Sequence, residues 1–269
     1  MMGRNKHASG RKVALVLGSG GARGLAHIGV IEHLRSIGVR ISYISGCSMG
    51  ALVGGVYAAG ELQAYTEWVK KLERKDIISL LDFSFGMQGL LKGEKIIGVL
   101  REMIGDHSIE SLDIGYTAVA TDLNEQKEVW LNKGPLFDAI RASMAIPTVF
   151  TPWNYQGRVL VDGGLLNPVP IAPALNHSTD MIIAVNVAGR RSESDEEVSE
   201  AEPEIPGIFD SMSMSLETMQ NAIARLKLAA YSPDVVIEIP RDVCNFYEFY
   251  RAEEVIEAGR QQAEETLPG

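Results

Sequence analysis

Ser48 sits in the run GCSMG (46–50), between Gly46 and Gly50, in a G-x-S-x-G pattern. A hydroxyl attacks an ester only when it is held clear of its neighbours and given a base. Flanking glycines allow a strand-to-helix turn too sharp for larger residues, and the serine then projects from the end of the sheet. The N–H of Met49, next in line, faces the same space and can donate to an oxyanion. G-x-S-x-G is common by chance, so context decides. Here β-prone RISYIS precedes it and small, helix-compatible ALVGGVYAAG follows. A helix N-cap serine is the plainer reading, but it leaves both glycines unexplained.

A second run with chemical potential is GSGGARG (18–24). Backbone N–H groups at a helix N-terminus attract negative charge, whether on a phosphate or on a developing oxyanion. The dinucleotide fingerprint G-x-G-x-x-G is not met, because the sixth position counted from Gly18 is Arg23. The next strand, VRISYIS, also lacks the acid that would hold a ribose. A dinucleotide enzyme is therefore the weaker alternative, and a tight turn without a ligand is the other.

A serine of this kind needs a base. The α/β-hydrolase order of serine, acid, histidine asks for a late histidine. Of His7, His27, His33, His107 and His177, only the last lies late, and it precedes a strand; all five read as structural or surface groups. Carboxylates fit better. Asp162 directly follows the buried run RVLV and precedes Gly163 and Gly164; Asp122, after YTAVAT, is its rival. Catalytic groups in open α/β sheets gather where strands end. An aspartate at its ordinary value near 3.9 is a weak base at pH 7, and partial desolvation raises it.

The elements that must position these groups alternate. Strands are expected at 13–17, 39–45, 116–120, 128–131, 158–161, 181–187 and 235–239. Helices are expected at 25–37, 51–59, 62–72, 96–104 and 136–144. That alternation predicts an α/β fold with a mostly parallel central sheet and helices on both faces. Residues 76–93 lack a clean period and read as an irregular segment that covers a site. Residues 1–11 read as a basic tail and 12–269 as one domain, with 189–206 (GRRSESDEEVSEAEPEIP) as a solvated acidic loop. Met212, Leu216, Met219, Ile223, Leu226 and Ala230 form a helical stripe, read first as a core face and second as a membrane-facing one.

In order, strand–GSGGARG–helix, GCSMG, RASMAIP and DGG resemble the patatin-like phospholipase family over about residues 13–187. The tail YSPDVVIEIP suits its bacterial members. The resemblance implies a three-layer α/β/α fold and a Ser–Asp dyad, Ser48 with Asp162. It implies an oxyanion hole from Gly20, Gly21, Ala22, Arg23 and Gly24, joined by the Met49 amide. It also implies hydrolysis of lipid acyl esters, of phospholipase A or lysophospholipase type, without metal or cofactor. Ser19 departs from the glycine common in the family, which bears on loop packing. A non-catalytic lipid- or acyl-binding regulator is the alternative from another class.

Bulk composition narrows the partners. The net charge of −10 disfavours nucleic acid and anionic bilayers. Two cysteines without metal-ligand spacing suggest a reducing compartment, and no apolar run reaches the ~18 residues of a membrane span. The expected setting is cytoplasmic, with peripheral contact to a lipid surface.

Overall fold

A computed structural model describes residues 10–80, 91–190 and 207–269. Among the described residues, eight strands form one sheet. They are β1 (Lys12–Leu17), β2 (Arg40–Cys47), β3 (Gly115–Asp122), β4 (Lys127–Leu131), β5 (Trp153–Tyr155), β6 (Arg158–Asp162), β7 (Met181–Gly189) and β8 (Val235–Pro240). The order is β5-β6-β3-β2-β1-β7-β8, with β4 also paired to β3. Strands β3, β2, β1, β7 and β8 run parallel. The β3–β4, β3–β6 and β5–β6 pairs are antiparallel, so the sheet is mixed.

β1 shows why these residues make a central strand. Its apolar residues 13–17 are all fully buried, and they divide by period two. Val13, Leu15 and Leu17 enter the larger core, while Ala14 and Val16 enter a smaller one on the opposite face. A strand covered on both sides needs apolar residues at every position.

The larger core is covered by α1 (Ala26–Ser36), α2 (Met49–Ala58), α3 (Leu62–Val69), α5 (Glu94–Ile104), α6 (Leu136–Ser143) and α8 (Ala252–Thr266). Between α3 and α5 lies α4 (Arg74–Leu80), so the start of the expected irregular segment is helical. Residues 81–90 of that segment lie outside the described residues, as do 1–9 of the expected tail and 191–206 of the acidic loop. Gly10 is tied down by its N–H to Gly38 O (3.0 Å), and Gly189 still belongs to β7.

The smaller core is covered by residues 169–174 and by α7 (Ile208–Tyr231). α7 differs from expectation. Met212, Met219 and Leu226 are 52%, 55% and 70% exposed. The packed face is instead Ala224, Leu228 and Tyr231. Two apolar stripes run along this helix, and periodicity cannot choose between them. The stripe with the small Ala224 is the one that lies against the sheet. No helix among the described residues is long and apolar enough to cross a membrane.

Candidate active site

Strand order reverses at β1, where the chain departs to β2 on one side and later returns as β7 on the other. The crevice outside the carboxyl ends at such a reversal is the favoured ligand position. Both glycine-rich runs open there, one after β1 and one after β2.

Ser48 joins β2 to α2 and adopts φ 54°, ψ −124°. A non-glycine residue in this region stores on the order of 1–3 kcal/mol of strain, so the surroundings must hold it. Ser143, the last residue of α6, provides one restraint. Its hydroxyl accepts the Ser48 N–H (2.9 Å) and donates to Val119 O (2.6 Å). Gly50 provides another: a Cβ there would sit 2.1 Å from Leu17 O, so only glycine lets α2 start so close to β1. Gly46 faces the Gly50 carbonyl in the same tight turn.

Register brings Asp162 level with this serine. Cys47 pairs with Val119, and Ala120, the next residue of β3, pairs with Asp162. Asp162 is the end of an antiparallel strand, so it arrives from the direction opposite to β2. The sequence reading chose a strand end, but the carboxyl edge of the parallel strands is not what positions it. Asp122, which does end a parallel strand, lies further along. Its Oδ1 accepts the N–H groups of Asn124 (3.0 Å) and Glu125 (3.1 Å) and closes the β3–β4 turn.

Asp162 is buried. Its Oδ1 accepts the Gly164 N–H (2.7 Å) and lies 3.7 Å from the Cys47 thiol, which donates to it. Its Oδ2 and the Ser48 Oγ are both buried and have no partner of hydrogen-bonding geometry. The hydroxyl is nevertheless near enough to act on the carboxyl. Burial raises the Asp162 pKa from 3.8 to about 6, against the lowering pull of Ser48, the Gly164 amide and Cys47. Burial, with the Asp162 charge next in size, also pushes the Cys47 thiol well up. Gly163 packs on the Val119 carbonyl.

In the first glycine loop, Ser19 N–H donates to Pro168 O (2.8 Å) and Ala22 N–H to Phe246 O (2.9 Å). The amides of Gly20 and Gly21 have no partner among the described residues, and neither does that of Met49, the first residue of α2. Gly21 has φ +56°, and its open side is pressed by the Phe246 ring. Gly24 lies against the Met49 side chain, which couples the loop to the serine turn. Arg23 is buried. It donates to Gly20 O (3.5 Å) and Arg241 O (3.1 Å) and pairs with Glu217 of α7. Its role in the geometry is to order the loop; its charge is already matched.

Two hollows meet here. An apolar cavity of about 350 Å³ has Ser48, Met49, Leu52, Trp68, Leu100 and Phe150 among its lining. A recess of about 90 Å³ holds Asp162, Ser19, Glu217 and Gln220. Ile146, Val149, Phe246 and Tyr247 line both. Ser19 thus lies in the recess with Asp162.

Each described histidine has a structural use. His27 Nε2 donates to Gly18 O (2.8 Å), and burial lowers its pKa to about 4. His33 bonds Leu267 O and His107 bonds Ile104 O. His177 stacks on Tyr43, with ring centroids 3.5 Å apart. His7 lies outside the described residues. Sequence reasoning passed over Ser143 and Phe246 as site residues. RASMAIP held a hint of Ser143; nothing local marked Phe246.

The model of the patatin-like phospholipase family matches residues 15–175, more than half of the chain. The chain belongs to that family. An uncharacterised NTE family protein of Mycobacterium tuberculosis is 39% identical over 336 residues, covering 98% of this chain and 93% of that protein. Neuropathy target esterase sws of Drosophila melanogaster is 31% identical over 189 residues, covering 68% of this chain and 13% of that one. Among solved structures, the type III effector protein ExoU aligns with TM-score 0.48 at 14% identity, covering 98% of this chain and 55% of that one.

Proposed function

We propose that this chain is a serine hydrolase of lipid acyl esters, with Ser48 as nucleophile and Asp162 as its base. The observation that carries the reading is the partnerless pair, Ser48 Oγ and Asp162 Oδ2, buried together where an apolar cavity begins. Buried polar atoms are almost always satisfied, and an exception calls for an explanation such as a catalytic role. A cavity of about 350 Å³ has room for roughly a dozen methylenes at ~30 Å³ each, if one takes about as much space as a water.

In this reading the acyl chain lies in the cavity and the ester carbonyl reaches Ser48. Asp162 Oδ2 takes the hydroxyl proton as Ser48 Oγ bonds to the carbonyl carbon. The N–H groups of Gly20, Gly21 and Met49 receive the oxyanion. Asp162 then passes the proton to the departing alkoxide. Water repeats the sequence on the acyl-enzyme, giving fatty acid and free serine. A carboxyl with a pKa near 6 is ionised at neutral pH and is still basic enough to take the proton. Met214 and Tyr247, exposed in the lining of these hollows, support contact with a lipid surface.

The test is labelling with a fluorophosphonate together with hydrolysis of a panel of single-chain, double-chain and neutral esters. Labelling at Ser48 and ester turnover, both absent in Ser48→Ala, are expected. Lipid binding without labelling or turnover would favour the non-catalytic lipid-binding alternative.

A further inference from the structure

Beyond the recess that holds Asp162 lies a third hollow, of about 520 Å³, open and polar. Phe246 is common to all three, and Met214 and Glu217 are shared between the recess and this outer hollow. A substrate whose acyl chain fills the inner cavity must send its other end away from Ser48, toward the polar side.

The lining of the outer hollow comes from α7, from the segment after β8, and from Arg23. Its charges sort into committed and free. Arg23 is paired with Glu217. Arg251 is held by Glu248 (2.8 Å) and Glu254 (2.5 Å). Asp242 also lines the hollow and has an interaction of its own. Arg241 is exposed, and its guanidinium makes no ion pair or hydrogen bond among the described residues. Its backbone carbonyl, by contrast, is fixed by Arg23 (3.1 Å), which anchors the residue beside the glycine loop. The carboxamide of Asn221 lines the same hollow, also without a described partner, whereas that of Asn245 is engaged by the Glu248 carboxylate. One free guanidinium with a carboxamide donor is a set suited to phosphate oxygens, which accept several N–H groups at once. Arginine meets such groups as a planar fork, which lysine cannot reproduce.

We propose that this hollow is a phosphate subsite, and that Arg241, with Asn221, selects acyl esters whose headgroup carries a phosphodiester over neutral esters of the same chain. The inference rests on the lipid-ester reading above and adds the polar half of the substrate. Arg241 is a specificity residue here and takes no part in bond making.

The experiment compares a palmitoyl lysophosphatidylcholine with monopalmitoylglycerol on the parent chain, Arg241→Gln and Arg241→Lys. Arg241→Gln leaves in place the carbonyl that Arg23 binds. Loss of a charge-assisted hydrogen bond predicts about a tenfold fall in kcat/KM on the phosphate-bearing ester, with the neutral ester within about twofold. Arg241→Lys should fall between. An equal loss on both esters, or none on either, overturns the proposal. Millimolar inorganic phosphate separates two sources of the same chemistry. Competition only with the phosphate-bearing ester, abolished in Arg241→Gln, supports a headgroup site; inhibition of both esters to the same extent overturns it. Binding of glycerophosphocholine, which has the headgroup and no ester, is measured by calorimetry in parallel. Weakening of that binding by Arg241→Gln supports the subsite even if the chain hydrolyses neither ester, an outcome that would sink only the hydrolase reading. No binding to the parent chain sinks the subsite alone.

Discussion

The parallel and the antiparallel halves of the sheet each bring one group to the centre, by different means. In the parallel half, Ser48 is placed by its own neighbours. Glycines at 46 and 50 shape the turn, and φ 54° is held by contacts at either end. In the antiparallel half, Asp162 keeps a negative φ (φ −48°, ψ 130°) and is placed by register across β3. One position is local and strained; the other is remote and relaxed. Substitutions near Ser48 should therefore act through geometry, and those at Asp162 through charge.

The largest expected effects fall on the two groups themselves. Ser48→Ala should remove ester turnover to background while changing the thermal midpoint little, since the hydroxyl has no partner to lose. Asp162→Asn should cost at least about a thousandfold in kcat/KM, as removal of a base does. A mild effect would break the pairing. Asp122→Ala should do the reverse, keeping turnover while losing about 1–3 kcal/mol of stability as two turn amides lose their acceptor. Chemical denaturation and steady-state kinetics on the three variants read both axes.

The charge at Asp162 also sets a pH dependence. Turnover should rise with pH through about 6 and then level, because the base must be ionised. In the unfolded chain the carboxyl returns to its ordinary value near 3.8. Between about pH 4 and 6 the folded protein holds a proton that the unfolded chain has released, so stability falls as pH rises through that window. Above it the full penalty, on the order of 3 kcal/mol, is present. Asp162→Asn has no such charge to bury. It should be the more stable protein at pH 8, with the gap closing toward pH 4; equal stability at both would contradict the buried charge.

Next in size are the geometric changes. Gly21→Ala forces φ +56° on a residue with a Cβ and drives it into Phe246. A fall in kcat of about a hundredfold is expected, as for a lost oxyanion donor, with KM little changed. Ser143→Ala strips the Ser48 amide of its acceptor and Val119 O of a donor. It should lower kcat by about tenfold and stability by about 1–3 kcal/mol. The smallest effect should come from His27→Gln, within about tenfold, because His27 supports Gly18 and is not a base in this scheme. A folded His27 variant with a thousandfold loss would replace the dyad with a conventional triad.

The same contrast explains what the sequence disclosed. The serine turn is legible because the glycines that shape it lie within five residues of one another. The alternation of elements predicted the layered α/β fold, since each strand and helix carries its own period. Asp162 was singled out by an argument about strand ends, yet the antiparallel course of β6 that brings it level with Ser48 leaves no mark in RVLVD. Ser143 is 95 residues from the amide it holds, and the Phe246 carbonyl lies on the far side of β8 from the loop it steadies. The stripe on α7 misled because amphipathicity reports that a face is apolar, not what will cover it.

Cys47 bears on how this chain can be probed. Its thiol sits one residue from Ser48, the proposed nucleophile, and donates toward Asp162, and burial keeps it protonated far above neutral pH. Burial likewise raises Cys244 to about 11. Maleimides, iodoacetamide and peroxide act on thiolates, and this protein offers almost none. Thiol reagents should leave it unmodified, so under the proposed scheme an electrophile that reaches the centre meets Ser48 without a competing thiolate, and covalent labelling there counts working sites without masking.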